Sequence, residues 1–235
     1  MKKLFIIFCF FAIVVKLYSG ENSHYKASLS NIFTYQNQKD LLLVGAIALP
    51  LSFLLDSQVK DYAVKKGFYS DEISKIGDIY GHRVGYFAVA GSMLLADFIM
   101  KKEQAKSLAE IRLVAEGVLA GQLVIESLKL ITHRKRPNGK SYKSFPSGHA
   151  GGAFGLATTL QHIYGKKIGI PAYLMAFFVA SSRINDNKHY LSDVVAGSLI
   201  GGIVARGFAT HYRSKWEIKP DIFGPQRSIN LNICF

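Results

Sequence analysis

His189 and Asp193 stand four residues apart, downstream of Ser182-Arg183. On a helix that spacing sets the carboxylate one turn from the imidazole, where it holds one tautomer and stabilises positive charge. It is the base and orienter of a catalytic triad. No serine or cysteine is placed for activation, so the imidazole itself is the candidate nucleophile. A histidine nucleophile suits phosphoryl transfer through a phosphohistidine. A metal pair is the rival for the same spacing, but Arg183 and Lys188 nearby repel a cation, and no metal is expected.

Two further polar clusters fall where an apolar chain should turn. In Pro146-Ser147-Gly148-His149, the proline halts a loop, Ser147 can cap a helix, and Gly148 lets the backbone approach a ligand. The free N–H groups of such a helix start attract anions, and His149 at its mouth can supply a proton. In Lys129-Leu-Ile-Thr-His-Arg-Lys-Arg136-Pro137, Lys129 and Arg136 are two turns apart on a continuing helix that Pro137 ends. A point charge and a guanidinium fork at one helix end suit a tetrahedral dianion. Arg134 and Lys135 read instead as basic residues attracted to lipid head groups.

The elements that must position these residues are helical. Apolar runs at 41–55, 84–100, 111–128, 150–165, 168–182 and 193–209 lack period-two alternation and are rich in Ala, Leu and Gly. Six packed helices follow, and an all-α fold class. Pro50 should kink or interrupt the first, and Gly165, Gly169 and Pro171 mark the turn between the fourth and fifth. Gly197, Gly201 and Gly202 fit close helix packing. Asp97, Glu116 and Glu126 either line a polar cavity or pair with neighbouring cations.

Residues 1–20 join Lys2 and Lys3 to an apolar run of twelve and then small residues, the pattern of a secretory signal peptide or an N-terminal anchor. Residues 21–40 read as an irregular polar arm, and 41–212 as the catalytic domain. In the tail, 213–235, Ile229, Leu231, Ile233 and Phe235 alternate with polar residues, which predicts a β-hairpin.

The chain has 235 residues, 49% of them hydrophobic, with Lys plus Arg at 29 and Asp plus Glu at 16. Disordered and coiled-coil classes are excluded. The net charge of +13 comes without a zinc-finger or RNA-recognition signature, so acidic head groups or phosphate substrates are expected as partners and nucleic acid is not. Cys9 and Cys234 cannot make a disulfide framework.

Lys129-x6-Arg136-Pro137, Pro146-Ser147-Gly148-His149 and Ser182-Arg183-x5-His189-x3-Asp193 resemble, in order and with every position filled, the three motifs of the type 2 phosphatidic acid phosphatase superfamily. The resemblance covers roughly residues 40–210. It implies a helical core whose motifs converge on one pocket, and a metal-independent phosphatase with no cofactor. By that likeness His189 attacks phosphorus, Asp193 orients it and His149 protonates the leaving oxygen. Lys129, Arg136 and Arg183 bind the phosphate, helped by Ser147 and the Gly148 amide. The expected substrate is a lipid phosphate of the bacterial envelope, met at a periplasm-facing, membrane-associated site. Lipid A is the first choice; undecaprenyl pyrophosphate, phosphatidic acid and phosphatidylglycerol phosphate are compatible. A broad-specificity periplasmic acid phosphatase and a non-catalytic envelope binding protein are the alternatives.

Overall fold

A computed structural model describes residues 23–99 and 103–216. Eight helices occur among them: α1 (Ser23–Phe33), α2 (Tyr35–Lys66), α3 (Asp71–Tyr80), α4 (Arg83–Ile99), α5 (Gln104–Thr132), α6 (Gly148–Tyr164), α7 (Lys166–Asn185) and α8 (Leu191–Trp216). The described residues contain no strand. The signal-peptide region and the expected hairpin lie outside them, except that 213–216 belong to α8.

The six expected helices correspond to α2 and α4–α8; α1 and α3 are additional. From residue 23 onward the supposed irregular arm is helical, interrupted at Thr34. Its polar sequence folds because tertiary contacts supply the apolar environment: Ser28 is fully buried, and Ile32 packs where Gly207 of α8 leaves room for it. Helix α3 carried a start signal that composition obscured, Ser70 at the N-cap followed by Asp71 and Glu72 in the first turn. Pro50 does not interrupt α2, which runs through it for 32 residues. Of the expected turn residues only Gly165 links helices, with φ of 73°, while Gly169 and Pro171 lie inside α7. Gly169 gives the backbone room beside Gln161 of α6.

Helix α6 is the centre of the bundle, flanked by α8, α7 and α5. Its small residues allow the approach. A Cβ on Gly201 would sit 1.9 Å from the Gly151 carbonyl oxygen, and one on Gly197 would sit 2.2 Å from that of Ser147. Neither position accepts a side chain without moving backbone, so α6 and α8 are held at the distance that brings their N-termini together. Gly202 is different: a Cβ there meets only ordinary contacts, at 3.6 Å and beyond. Around this crossing lie Leu156, Ala157, Val179, Ala176 and Val118 in one cluster, and Leu113, Val204 and Phe208 in another.

Helix α2 contrasts with that core. Leu42, Leu43, Val44, Ile47, Leu51 and Leu54 are exposed, an apolar exterior with three buried polar points, Gln38, Ser52 and Asp56. Gln36–Lys66 and Leu191–Thr210 are long and apolar enough to cross a membrane. The acidic residues within the apolar runs have partners: Glu126 bonds Lys129 at 2.5 Å, Glu116 bonds Arg112 at 2.6 Å, and Asp97 accepts from Ser107 at 2.6 Å.

Candidate active site

Three chain segments meet where α6 and α8 begin. Helix α5 ends at Thr132, not at Pro137, because His133 turns left-handed at φ 45°. Arg136 is therefore on a loop and not on the helix face shared with Lys129. The loop folds back on itself: the Arg136 amide donates to Ser141 O at 2.8 Å, and the Ser144 amide to Arg134 O at 3.0 Å. Lys129, almost fully buried, and Arg136, half-buried, still approach one another's neighbours. A Cβ on Gly148 would lie 3.1 Å from Lys129 Nζ, so the cation sits directly against the start of α6.

At that start Ser147 is the N-cap, its Oγ accepting from the Ala150 amide at 3.5 Å while its own amide donates to Asp193 O at 2.8 Å. The second contact ties the head of α6 to the first turn of α8. Gln122 of α5 donates to Gly148 O at 2.7 Å, a clamp the sequence reading did not identify. His149 Nε2 is buried, makes no aligned hydrogen bond, and lies 3.2 Å from Asp78 Oδ1 of α3.

His189 precedes α8, whose N-cap is Tyr190. Its Nδ1 meets the Ser144 carbonyl at 2.7 Å, and Asp193 Oδ2 stands farther off at 3.6 Å. The sequence reading made Asp193 the direct orienter; the closer acceptor is a backbone carbonyl. Asp193 instead accepts from Ser144 Oγ at 2.5 Å and from the Tyr190 amide at 2.8 Å, closing half of a capping box. With Nδ1–H donated to the carbonyl, Nε2 carries the lone pair.

Arg183, at the end of α7 and 1% exposed, bonds Asp78 Oδ1 and reaches Asp186 at 3.1 Å. Lys188 lies 3.5 Å from Asp78 and 3.0 Å from Asp186. No group of acids, histidines or cysteines among the described residues could hold a metal ion.

A family model described as the PAP2 superfamily matches residues 111–217, the span that carries all three clusters. The chain is 30% identical over 176 residues to the lipid A 4'-phosphatase of Helicobacter pylori, covering 70% of this chain and 82% of that protein. The chain belongs to the PAP2 superfamily. It is also 39% identical over 74 residues to the lipid A 1-phosphatase of Porphyromonas gingivalis, covering 30% of this chain and 17% of that one. A transmembrane PAP2 type phosphatidylglycerolphosphate phosphatase from Bacillus subtilis shares the fold, with a TM-score of 0.58 at 18% identity, over 78% of this chain and 98% of the other.

Electrostatics in this PAP2 site follow from burial beside cations. Burial, reinforced by Arg183, pushes His149 down to about 3. His189 is also lowered, because desolvation outweighs the neighbouring Asp193, with Arg136 and Lys129 acting in the same direction as burial. Both shifts favour the neutral imidazole. Arg136 is depressed by burial and by Arg183, and its Nε is buried without a partner. Partial burial works against the Asp78 carboxylate, yet Arg183 and Lys188 outweigh it and hold its pKa below the usual range.

The sequence reading missed Asp78, since α3 was itself missed, and it misjudged Arg134. That guanidinium bonds Asp193 Oδ1, Ser192 Oγ and Asp56 Oδ2, each at 2.7 Å, and lies over the Tyr190 ring at 4.3 Å. It is a partly buried strut whose guanidinium is committed to these acceptors.

Proposed function

We propose that this PAP2 chain hydrolyses a phosphate ester of lipid A through a phosphohistidine, without a metal or cofactor. The chemistry rests on one observation: a buried histidine whose Nδ1 faces the Ser144 carbonyl at 2.7 Å, leaving Nε2 as the lone-pair nitrogen, stands among Lys129, Arg136 and Arg183. Phosphoryl transfer needs little else than fixed positive charge around the equatorial oxygens and an aligned nucleophile.

His189 Nε2 attacks phosphorus and the bond to the leaving oxygen breaks. His149 donates a proton to that oxygen. Neutral in the empty site, His149 gains its proton when a phosphate dianion enters beside it, because a nearby negative charge favours the imidazolium. Water deprotonated by His149 then attacks the phosphohistidine, releasing phosphate and restoring His189. Arg183, Arg136 and Lys129 hold the transferred oxygens, with the Gly148 amide at the helix start as a further donor. Ser147 serves as the cap that presents this amide. Asp193 acts on His189 by holding Ser144 and the first turn of α8.

The choice of lipid A is supported by the likeness to the lipid A 4'-phosphatase over most of its length. The apolar exterior of α2 favours a membrane-associated bacterial protein. Residues 41–212 form the phosphatase domain, with a six-helix core of α2 and α4–α8. Residues 1–20 act as export signal or anchor, and the pocket faces the periplasm.

The test is phosphate release from lipid A, undecaprenyl pyrophosphate, phosphatidic acid and p-nitrophenyl phosphate, with EDTA present and His189→Ala alongside. Release from lipid A that resists EDTA and is lost in the variant is the expected result. Release from another lipid alone replaces the substrate, release from p-nitrophenyl phosphate alone makes the chain a general acid phosphatase, and no release from any overturns the proposal.

A further inference from the structure

Behind the nucleophile lies a chain of polar side chains that no motif position includes apart from Asp193. Asp56 is the one carboxylate that α2 turns inward, 6% exposed on a helix whose neighbouring Phe53, Leu54, Ser57 and Gln58 are exposed. It accepts from the Ser192 amide at 2.8 Å, from Ser192 Oγ at 2.6 Å and from Arg134 at 2.7 Å. Arg134 then spans from Asp56 to Asp193, and Asp193 holds the Ser144 hydroxyl, whose residue offers its carbonyl to His189 Nδ1. Every hydrogen bond in this series is 2.8 Å or shorter, and Asp56, Asp193, Ser192 and Ser144 are buried.

We infer that Arg134 and Asp56 are positioning residues for the nucleophile: through Asp193 and Ser144 they fix the Nδ1–H tautomer of His189 and aim its Nε2 at phosphorus. This deepens the proposed phosphatase reading and rests on it for its kinetic part only. A guanidinium fork between two carboxylates is the group that can do this, since its separate nitrogens donate to both at once and leave neither buried carboxylate without a cationic partner. Lysine cannot replace it, having one nitrogen where the network uses two. The device also couples the 133–147 loop to α2, one of the two helices among the described residues that are apolar enough to cross a membrane.

His189 is faced by Asp193 from α8, Lys129 from α5, Arg136 from the 133–147 loop, His149 from α6 and, across Arg136 and His149, Arg183 from α7. Arg134 and Asp56 act on it through Asp193. Removing the Arg134 charge leaves Asp193 more negative, so the acid limb of kcat/KM, which reports neutral His189, moves to higher pH. Removing the Asp56 charge directs Arg134 wholly onto Asp193 and moves that limb to lower pH. A merely structural role predicts loss of folded enzyme with no shift in either direction.

The experiment compares wild type with Arg134→Gln, Arg134→Lys, Asp56→Asn and Asp56→Glu, purified in detergent and assayed on lipid A in mixed micelles. On the scale of supporting-group losses, kcat should fall by roughly 10- to 100-fold with KM changed by less than about 2-fold. The acid limbs of Arg134→Gln and Asp56→Asn should move in opposite directions. Arg134→Lys and Asp56→Asn keep the test open where Arg134→Gln fails to fold. ¹⁵N-histidine NMR of the same samples reads the tautomer without turnover, so it decides the inference even where the phosphatase reading fails. His189 protonated at Nδ1 in wild type and mixed in Arg134→Lys supports the inference. An unchanged tautomer, or wild-type kcat and acid limb in folded variants, overturns it.

Discussion

The two flanks of His189 are built on opposite plans. On the α2–α8 side, Asp56, Arg134, Ser192, Asp193 and Ser144 form a closed set in which each charged group and hydroxyl has a hydrogen-bond partner. On the α3–α7 side, Arg183, Lys188, Arg136 and Lys129 outnumber the carboxylates near them, Arg136 Nε and His149 Nε2 lack hydrogen-bond partners, and Asp78 is only partly buried. A hydrogen-bonded network is rigid and selects one geometry; an excess of positive charge with open donors is costly until an anion compensates it. On the proposed mechanism, the difference assigns the positioning of His189 to the first flank and the phosphate to the second.

The strongest break falls on the chemistry between the flanks. His189→Ala and His149→Ala should each lower phosphate release by at least roughly 10²-fold, the low end for acid–base groups, measured as initial rates in detergent. On the open flank, Arg183→Lys keeps the charge and loses the fork. Its kcat should fall by roughly 10- to 100-fold, less than for a deleted transition-state donor, and a variant at wild-type rate would take Arg183 out of the phosphate site. The helix crossing that holds both flanks is tested by Gly201→Ala. Its Cβ meets backbone at 1.9 Å, which should cost about 1–3 kcal/mol in thermal unfolding, whereas Gly202→Ala should be near neutral.

Acid should also separate the two flanks. His149 binds a proton near 6.5 when unfolded but only near 3 when folded, so the unfolded chain takes up more protons between those values. Stability is full above 6.5 and falls as pH drops towards 3, by at most about 1.4 kcal/mol per unit from this group. His149→Asn should flatten the melting temperature between pH 6.5 and 5 relative to wild type; an unaltered slope would remove His149 as its source. The smallest effect is on Asp78, which occupies the cations in the empty site. Asp78→Asn should strengthen inhibition by inorganic phosphate several-fold, about 1 kcal/mol by the energetics of a partly exposed pair.

Much of this was readable in advance where the determinants are local. Ser147 announced its cap through its side chain and the glycine after it, and Gly197 and Gly201 announced a close crossing. Arg134 was not readable. Nothing in Arg-Lys-Arg-Pro distinguishes a solvated cation from a strut between carboxylates, because its partners Asp56 and Asp193 lie 78 and 59 residues away. Asp78 was lost with α3, a ten-residue helix too short for periodicity to stand out. Asp193 was singled out by its spacing from His189, which suggested a direct bond, while the structure sets the Ser144 carbonyl nearer to Nδ1 than the carboxylate.

The sequence by itself determined the all-α class, the helices that build the core and the three clusters whose residue types can transfer a phosphoryl group, since helix periodicity and side-chain chemistry are local properties. Only the tertiary structure decided that Arg136 sits on a loop behind a left-handed His133, that α1 folds against α8, and that a carboxylate from α2 is joined through Arg134 to Asp193 beside His189. Those outcomes depend on which distant backbone approaches, and the approach is set by the glycines that let α6 and α8 touch.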